Sequence, residues 1–136
     1  MDSGMHQIGQ VAETVGLSLR TIRHYEEIGL VPPSGRSAGG FRLYTDDDIE
    51  RLRLVKAMKP LDFSLDEMRD LLDARARLAA GIDDPHEEAL AYARLDVYAV
   101  AAEQRCKMLR AQVQAAESMA DLIRQDASRR RQASCL

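Results

Sequence analysis

Apolar residues near the start of the chain recur at helical spacing. Ile8, Val11, Ala12 and Val15 stand at i, i+3, i+4 and i+7, which predicts a short amphipathic helix stopped by Gly16. Ser18 is a natural N-cap for a second helix, because its hydroxyl can accept a free backbone N–H of the first turn. That second helix turns Leu19, Ile22 and Ile28 toward a core and leaves Arg20, Thr21, Arg23, His24 and Tyr25 on or near the opposite side. Gly29 sits where helices end in a left-handed residue, and Pro32-Pro33 forbid a restart. Two short helices joined by a glycine-containing turn are a helix-turn-helix pattern, weak taken alone.

The next stretch strengthens it. Residues 34–40 are too polar and glycine-rich for core, and Phe41-Arg42-Leu43-Tyr44 reads as a strand, so the loop is a candidate wing carrying Arg36 and Arg42. Thr45 with Asp48 three residues on is a capping box for a third helix, whose buried stripe is Ile49, Leu52, Val55 and Met58. Arg51, Arg53, Lys56 and Lys59 keep its other side wet or reach a phosphate, and Pro60 ends it. Ser64 with Glu67 is a second capping box, for a helix that buries Leu65, Met68, Leu71 and Leu72.

Beyond Ala74 the pattern loosens around Gly81, and Pro85 is placed as the first residue of a new helix. From there to about Arg129 no glycine or proline interrupts. Leu95, Ala99, Ala102, Cys106, Leu109, Val113, Ala116, Ala120, Ile123 and Ala127 fall at alternating steps of four and three, a heptad seam. A lone helix cannot bury such a stripe, so it calls for a partner helix, and a second copy in a two-fold dimer supplies one. The expected division is a head over residues 1–76 opened by a frayed lead-in through His6, a linker over 77–84, a dimerisation helix over 85–129 and a mobile tail over 130–136.

Composition changes this picture little. The 136 residues hold one modest domain plus an appendage. With two phenylalanines and no tryptophan, an aliphatic core is expected. The net charge of −3 offers no global attraction for nucleic acid, so affinity for phosphate would have to come from placement. Asp46, Asp47, Asp48 and Glu50 do lie apart in sequence from the arginines at 20, 23, 36 and 42. No signal segment opens the chain and no apolar run approaches the roughly 18–20 residues that span a bilayer, so a cytoplasmic protein with no membrane partner is expected. Cys106 and Cys135 are too few and too far apart for a disulfide framework or a zinc or iron–sulfur pattern. No phosphate loop, Gly-x-Ser-x-Gly or His-Glu-x-x-His occurs, which argues against an enzyme.

The stretch from Ile8 to Leu72 resembles the DNA-binding domain of the MerR (mercury-resistance regulator) family. The likeness lies in SLRTIRHYEEIGL, then PPSGR, FRLY and FSLDEM. It implies a mainly α fold: a winged helix-turn-helix head followed by a long coiled-coil dimerisation helix, paired antiparallel with its copy. It also implies an activator that binds an inverted repeat in promoter DNA, bends and untwists it, and works with RNA polymerase. A mainly similar reading without any inducer, an architectural or developmental DNA-binding protein, stands as the alternative.

By the same resemblance the DNA-binding residues are Ser18, Arg20, Thr21, Arg23, His24, Tyr25, Arg36, Arg42, Tyr44 and Lys59. Arg20 and Arg23 would meet the major groove and its flanking phosphates, Arg36 and Arg42 the phosphates or minor groove, and Lys59 a phosphate. Tyr44 would brace the wing, and Glu26 would orient an arginine rather than read a cytosine. Three residues depart from the family pattern: His24 where paired tyrosines are usual, Pro60, and Asp62 where glycine is usual. Asp62 can hold a left-handed conformation at some cost. No cofactor or metal is expected, since Asp83, Asp84 and His86 replace the cysteine that the family's metal sensors carry at the head of the long helix. His86, Tyr92, Tyr98 and Cys106 are candidate effector contacts, with dimer packing as the alternative use; Cys106 reads as core filling or as a sensing thiol.

Overall fold

The computed structural model describes residues 4–135. Its element order follows the caps read from the sequence. Helix α1 (Ile8–Val15) ends at Gly16, whose φ of 71° is left-handed. Helix α2 (Leu19–Glu27) opens on Ser18, whose hydroxyl accepts the Thr21 N–H. Helix α3 (Asp46–Met58) and helix α4 (Leu65–Ala80) each carry a complete capping box, Thr45 with Asp48 and Ser64 with Glu67. Between them Lys59–Leu61 make one 3-10 turn, and Asp62 closes it in the left-handed region at φ 63°. Helix α5 runs from Pro85 to Ser134. Among the described residues no helix is long and apolar enough to cross a membrane.

A three-stranded antiparallel sheet ties the first two helices to the third. Strand β3 (Arg42–Thr45) lies between β1 (Met5–Gln7) and β2 (Gly35–Arg36), with His6 opposite Tyr44 and Arg36 opposite Arg42. The β2–β3 hairpin is the wing. Its turn is closed by Ser37 N–H on the Phe41 carbonyl and Gly40 N–H on the Ser37 carbonyl, with Gly40 at φ 82°.

The chain forms two compact units divided between Asp96 and Val97. The core of the first gathers Val11, Val15, Ile22, Leu30, Val31, Leu52 and Val55 around Tyr44, all 5% exposed or less. Met68, Leu72 and Ala74 of α4 and Ala91 of α5 extend it. Arg77–Glu87 and Arg94–Asp70 ion pairs stitch α4 to the start of α5. In the second unit α5 carries Leu109, Val113 and Ile123 with 42%, 57% and 57% of their surface exposed.

Several expectations are corrected. The lead-in is not frayed through His6: Met5–Gln7 are a strand because β3 offers its open edge, and His6 Nε2 lies 2.7 Å from Asp46 Oδ1; residues 1–3 lie outside the described residues. The linker over 77–84 is shorter, since α4 continues to Ala80 and only residues 81–84 connect it to α5. The mobile tail over 130–136 is helical through Ser134, supported by an Asp126–Arg130 pair at i, i+4; Leu136 lies outside the described residues. The core is not purely aliphatic, because Tyr25, Tyr44 and Phe63 are buried in it. Leu19 and Leu65 are 41% and 37% exposed, each being the first residue of its helix and so projecting past the core.

Candidate nucleic-acid interface

The polar side of α2 and the end of α3 form one open cleft of about 720 Å³, lined by Arg20, Thr21, Arg23, His24, Tyr25, Glu27 and Lys59. Arg20, Arg23, His24 and Lys59 are exposed. The local cause is the helix period. Ile22 and Tyr25, three residues apart, anchor α2 in the core, which rolls Arg20, Arg23 and His24 outward. Lys59 reaches the same cleft because the 3-10 turn after Met58 bends the chain there. Ser18 and Thr21 bond each other through their hydroxyls at 2.8 Å, so their first use is to cap the helix.

Two of the expected contacts are placed differently. Tyr25 is 6% exposed, so it is a core residue whose edge lines the cleft rather than a free surface side chain. Burial raises its hydroxyl pKa above the usual 10.0. Tyr44 is fully buried, which fits bracing of the wing and leaves no surface for direct contact. Its pKa is raised too, first by burial and then by the Glu26 carboxylate, with Arg42 pulling it back, Asp48 adding to the rise, and Arg36 opposing it.

The wing arginines are engaged. Glu26 on α2 places Oε1 3.3 Å from Arg36 Nη2, and its Oε2 accepts from Arg42 Nε. Arg36 also donates Nη1 to the Gly40 carbonyl at 3.1 Å. That Glu26 would orient an arginine was legible; that it holds both, one from each wing strand, was not, because the contact spans sequence separations of 10 and 16. At the wing root Asp48, 3% exposed, accepts the Ser34 hydroxyl at 2.5 Å and the Thr45 N–H at 2.9 Å. At the tip Phe41 is 62% exposed.

The remaining cations of the first unit are satisfied within it. Arg51 and Arg75 pair with Asp47, Arg53 with Glu50, Lys56 donates to the Val15 carbonyl at 2.7 Å, and Arg69 donates to the Ile28 carbonyl. Among the described residues Arg20, Arg23 and Lys59 alone in this unit have no such partner, and all three line the same cleft. The effector candidates follow one another along α5: His86 and Tyr92 are exposed, and Tyr98 and Cys106 are half-buried.

A winged helix-turn-helix with unpaired cations along its second helix defines a class of protein, the helix-turn-helix regulators. The match is narrower than that. Residues 7–75, just over half of the chain, match the model described as MerR HTH family regulatory protein, and the chain belongs to the MerR family. It is similar to the HTH-type transcriptional activator mta of Bacillus subtilis, 46% identical over 68 residues that make up 50% of this chain and 26% of that protein. The HTH-type transcriptional regulator YfmP of the same organism is 45% identical over 73 residues, 53% of this chain and 52% of that one. The chain thus spans between a quarter and about half the length of these relatives. Among solved structures it resembles HiNmlR, a MerR family regulator lacking the sensor domain and bound to promoter DNA, at 26% identity and TM-score 0.60, over 86% of this chain and 79% of that one.

Proposed function

We propose that the chain is a homodimeric, sequence-specific DNA-binding transcriptional regulator that takes an inverted-repeat promoter site and bends and untwists it. One observation carries the reading: the first unit's unpaired cations, Arg20, Arg23 and Lys59, converge on the cleft along α2. Cations whose charge is not neutralised internally are the ones that release counterions from a phosphate backbone. The likeness to HiNmlR, a MerR family regulator bound to promoter DNA, supports duplex DNA as the partner. The exposed apolar seam of α5 supports pairing of two copies along it, and the family resemblance implies that the two helices run antiparallel.

Ser18, Thr21, Arg20, Arg23, His24 and Lys59 contact the duplex in this reading, Tyr25 backs them from the core, and Arg36, Arg42 and the Tyr44 brace present the wing. Contacts from two heads offset an elastic cost of distortion of order 1–10 kcal/mol. RNA polymerase then meets promoter elements brought into phase. A small effector shifts the angle between heads by binding one arrangement better than the other, and His86, Tyr92, Tyr98 and Cys106 are the residues through which it would act.

A second reading, a regulator with no effector, draws on HiNmlR being a family regulator that lacks the sensor domain. The two separate on one experiment: a duplex selected from a random library by the full chain is footprinted with and without a cell extract of small molecules. An altered footprint supports the first reading, an unaltered one the second. Arg23→Ala should weaken binding of the selected duplex about 10- to 100-fold, as loss of a base-edge or phosphate contact worth about 1–3 kcal/mol. Unchanged binding would refute the assignment of this face.

A further inference from the structure

We infer that Glu26 is a positioning residue for the wing: by gripping Arg36 and Arg42 together it sets the wing's aim and withholds one unit of positive charge from nonspecific contact with phosphate. The inference rests on the DNA-binding reading and adds to it a residue that governs specificity. Its basis is the three-way clasp. One carboxylate oxygen takes Nη2 of Arg36 from β2, and the other takes Nε of Arg42 from β3, the residues directly opposite in the hairpin register. Arg36 reaches on with Nη1 to the Gly40 carbonyl, so one chain of contacts runs from α2 through both strands to the wing turn.

Charge and exposure say what the clasp does. Two guanidinium groups against one carboxylate leave a wing with one net positive charge instead of two. The side chain of Glu26 is 20% exposed, that of Arg42 30% and that of Arg36 51%. Arg42 therefore turns its Nε inward, while Arg36 keeps a free edge toward solvent. A carboxylate inside a phosphate-binding face repels DNA unless its charge is spent on neighbouring cations, and here it is. Arginines already fixed in one geometry also lose less rotamer freedom when a duplex of matching shape arrives. Partly exposed pairs contribute little to folding, so the effect falls on binding.

The test uses the full chain, a duplex enriched from a random library by that chain, and mixed-sequence genomic duplex, with affinity followed against salt. Glu26→Gln keeps the size of the side chain and removes its charge. For mixed-sequence duplex the slope of log K against log salt should steepen by about 0.9 per head. The ratio of selected to mixed-sequence affinity should fall on the order of tenfold. Glu26→Asp keeps the charge but shortens the reach, so it should lower the ratio and leave the slope at the wild-type value. In an Arg36→Gln, Arg42→Gln background, Glu26→Gln should strengthen both duplexes alike by relieving repulsion and leave their affinity ratio unchanged.

A Glu26→Gln protein that weakens both duplexes equally at unchanged slope, or that matches wild type, overturns the inference and leaves the DNA-binding reading standing. If Glu26→Gln does not fold, the Asp variant decides alone, through its ratio. A wild-type chain that enriches no duplex at all sinks the reading and this inference with it.

Discussion

Replacing Asp48 by alanine removes the carboxylate that joins the root of the wing to the start of α3. Asp48 is 3% exposed, so solvent cannot take over its bonds. Its Oδ2 accepts the Thr45 N–H at 2.9 Å, completing the capping box, and the Ser34 hydroxyl at 2.5 Å. Hydrogen bonds to a charged group are worth about 1.5–3 kcal/mol, and losing a cap costs about 0.5–2 kcal/mol. These terms overlap, so about 2–4 kcal/mol of destabilisation is expected, with the Thr45 N–H left unpaired next to the buried Tyr44. Urea unfolding at fixed protomer concentration measures it, as a lower midpoint at unchanged slope.

Ser34→Ala should cost less, because Asp48 keeps its backbone partner. The two substitutions share a bond, so the double variant should be less damaged than the sum by about 0.5–1.5 kcal/mol. Asp48→Asn keeps one acceptor and should fall between wild type and alanine. A loss below about 0.5 kcal/mol for Asp48→Ala, or strict additivity with Ser34→Ala, refutes the idea that this carboxylate holds the wing root.

Three further outcomes are expected. Tyr25 and Tyr44 have folded-state pKa values raised above 10.0, so the stability they contribute is complete below pH 10 and drains away as pH rises through the folded-state values; Tyr44→Phe should flatten that alkaline loss in a melting series, and an unaltered slope would contradict it. Gly16→Ala should destabilise by roughly 1–3 kcal/mol in urea, since φ is 71° and the new Cβ would sit 2.8 Å from the Lys56 ammonium that caps α1. Leu109→Glu with Val113→Glu should turn a dimer into single chains in sedimentation, while a wild-type chain that already sediments alone would refute the pairing of α5.

What the sequence disclosed tracks how local each determinant is. Ser18, Thr45 and Ser64 announce helix starts through bonds that span three residues, and each one forms as read. Asp62 was expected to be left-handed through the family resemblance, which puts a glycine there, and its φ is 63°. Strand β1 was not, because Met5-His6-Gln7 carries no alternation and exists only by pairing with residues forty positions away. Tyr25 is instructive: its place three residues after Ile22 marked it as inward, but its hydroxyl favoured reading it with the arginines. The end of α5 read as tail from its arginine and serine content, yet nothing there breaks a helix, and the i, i+4 Asp126–Arg130 pair favours one.

The candidate site itself was hidden in a different way, because total charge is the wrong quantity to read. A net −3 argues against a polyanion as partner, and a count of arginines argues for one. Neither decides, since the first unit engages most of its own cations: Arg36 and Arg42 on Glu26, Arg51 and Arg75 on Asp47, Arg53 on Glu50, Arg77 on Glu87 and Arg94 on Asp70, while Lys56 and Arg69, still charged, are tied to carbonyls and do not line the cleft. An ion pair closed within the fold releases no counterion on binding, so it is nearly silent in a salt titration. What remains is Arg20, Arg23 and Lys59, on one cleft. These six charges in a two-headed particle, with the one uncancelled wing charge of each head, give a salt slope of about −7 for B-form DNA. A slope of about −22, as if every cation of both heads were in play, would mean that the internal pairs open on binding and that placement does not select the face.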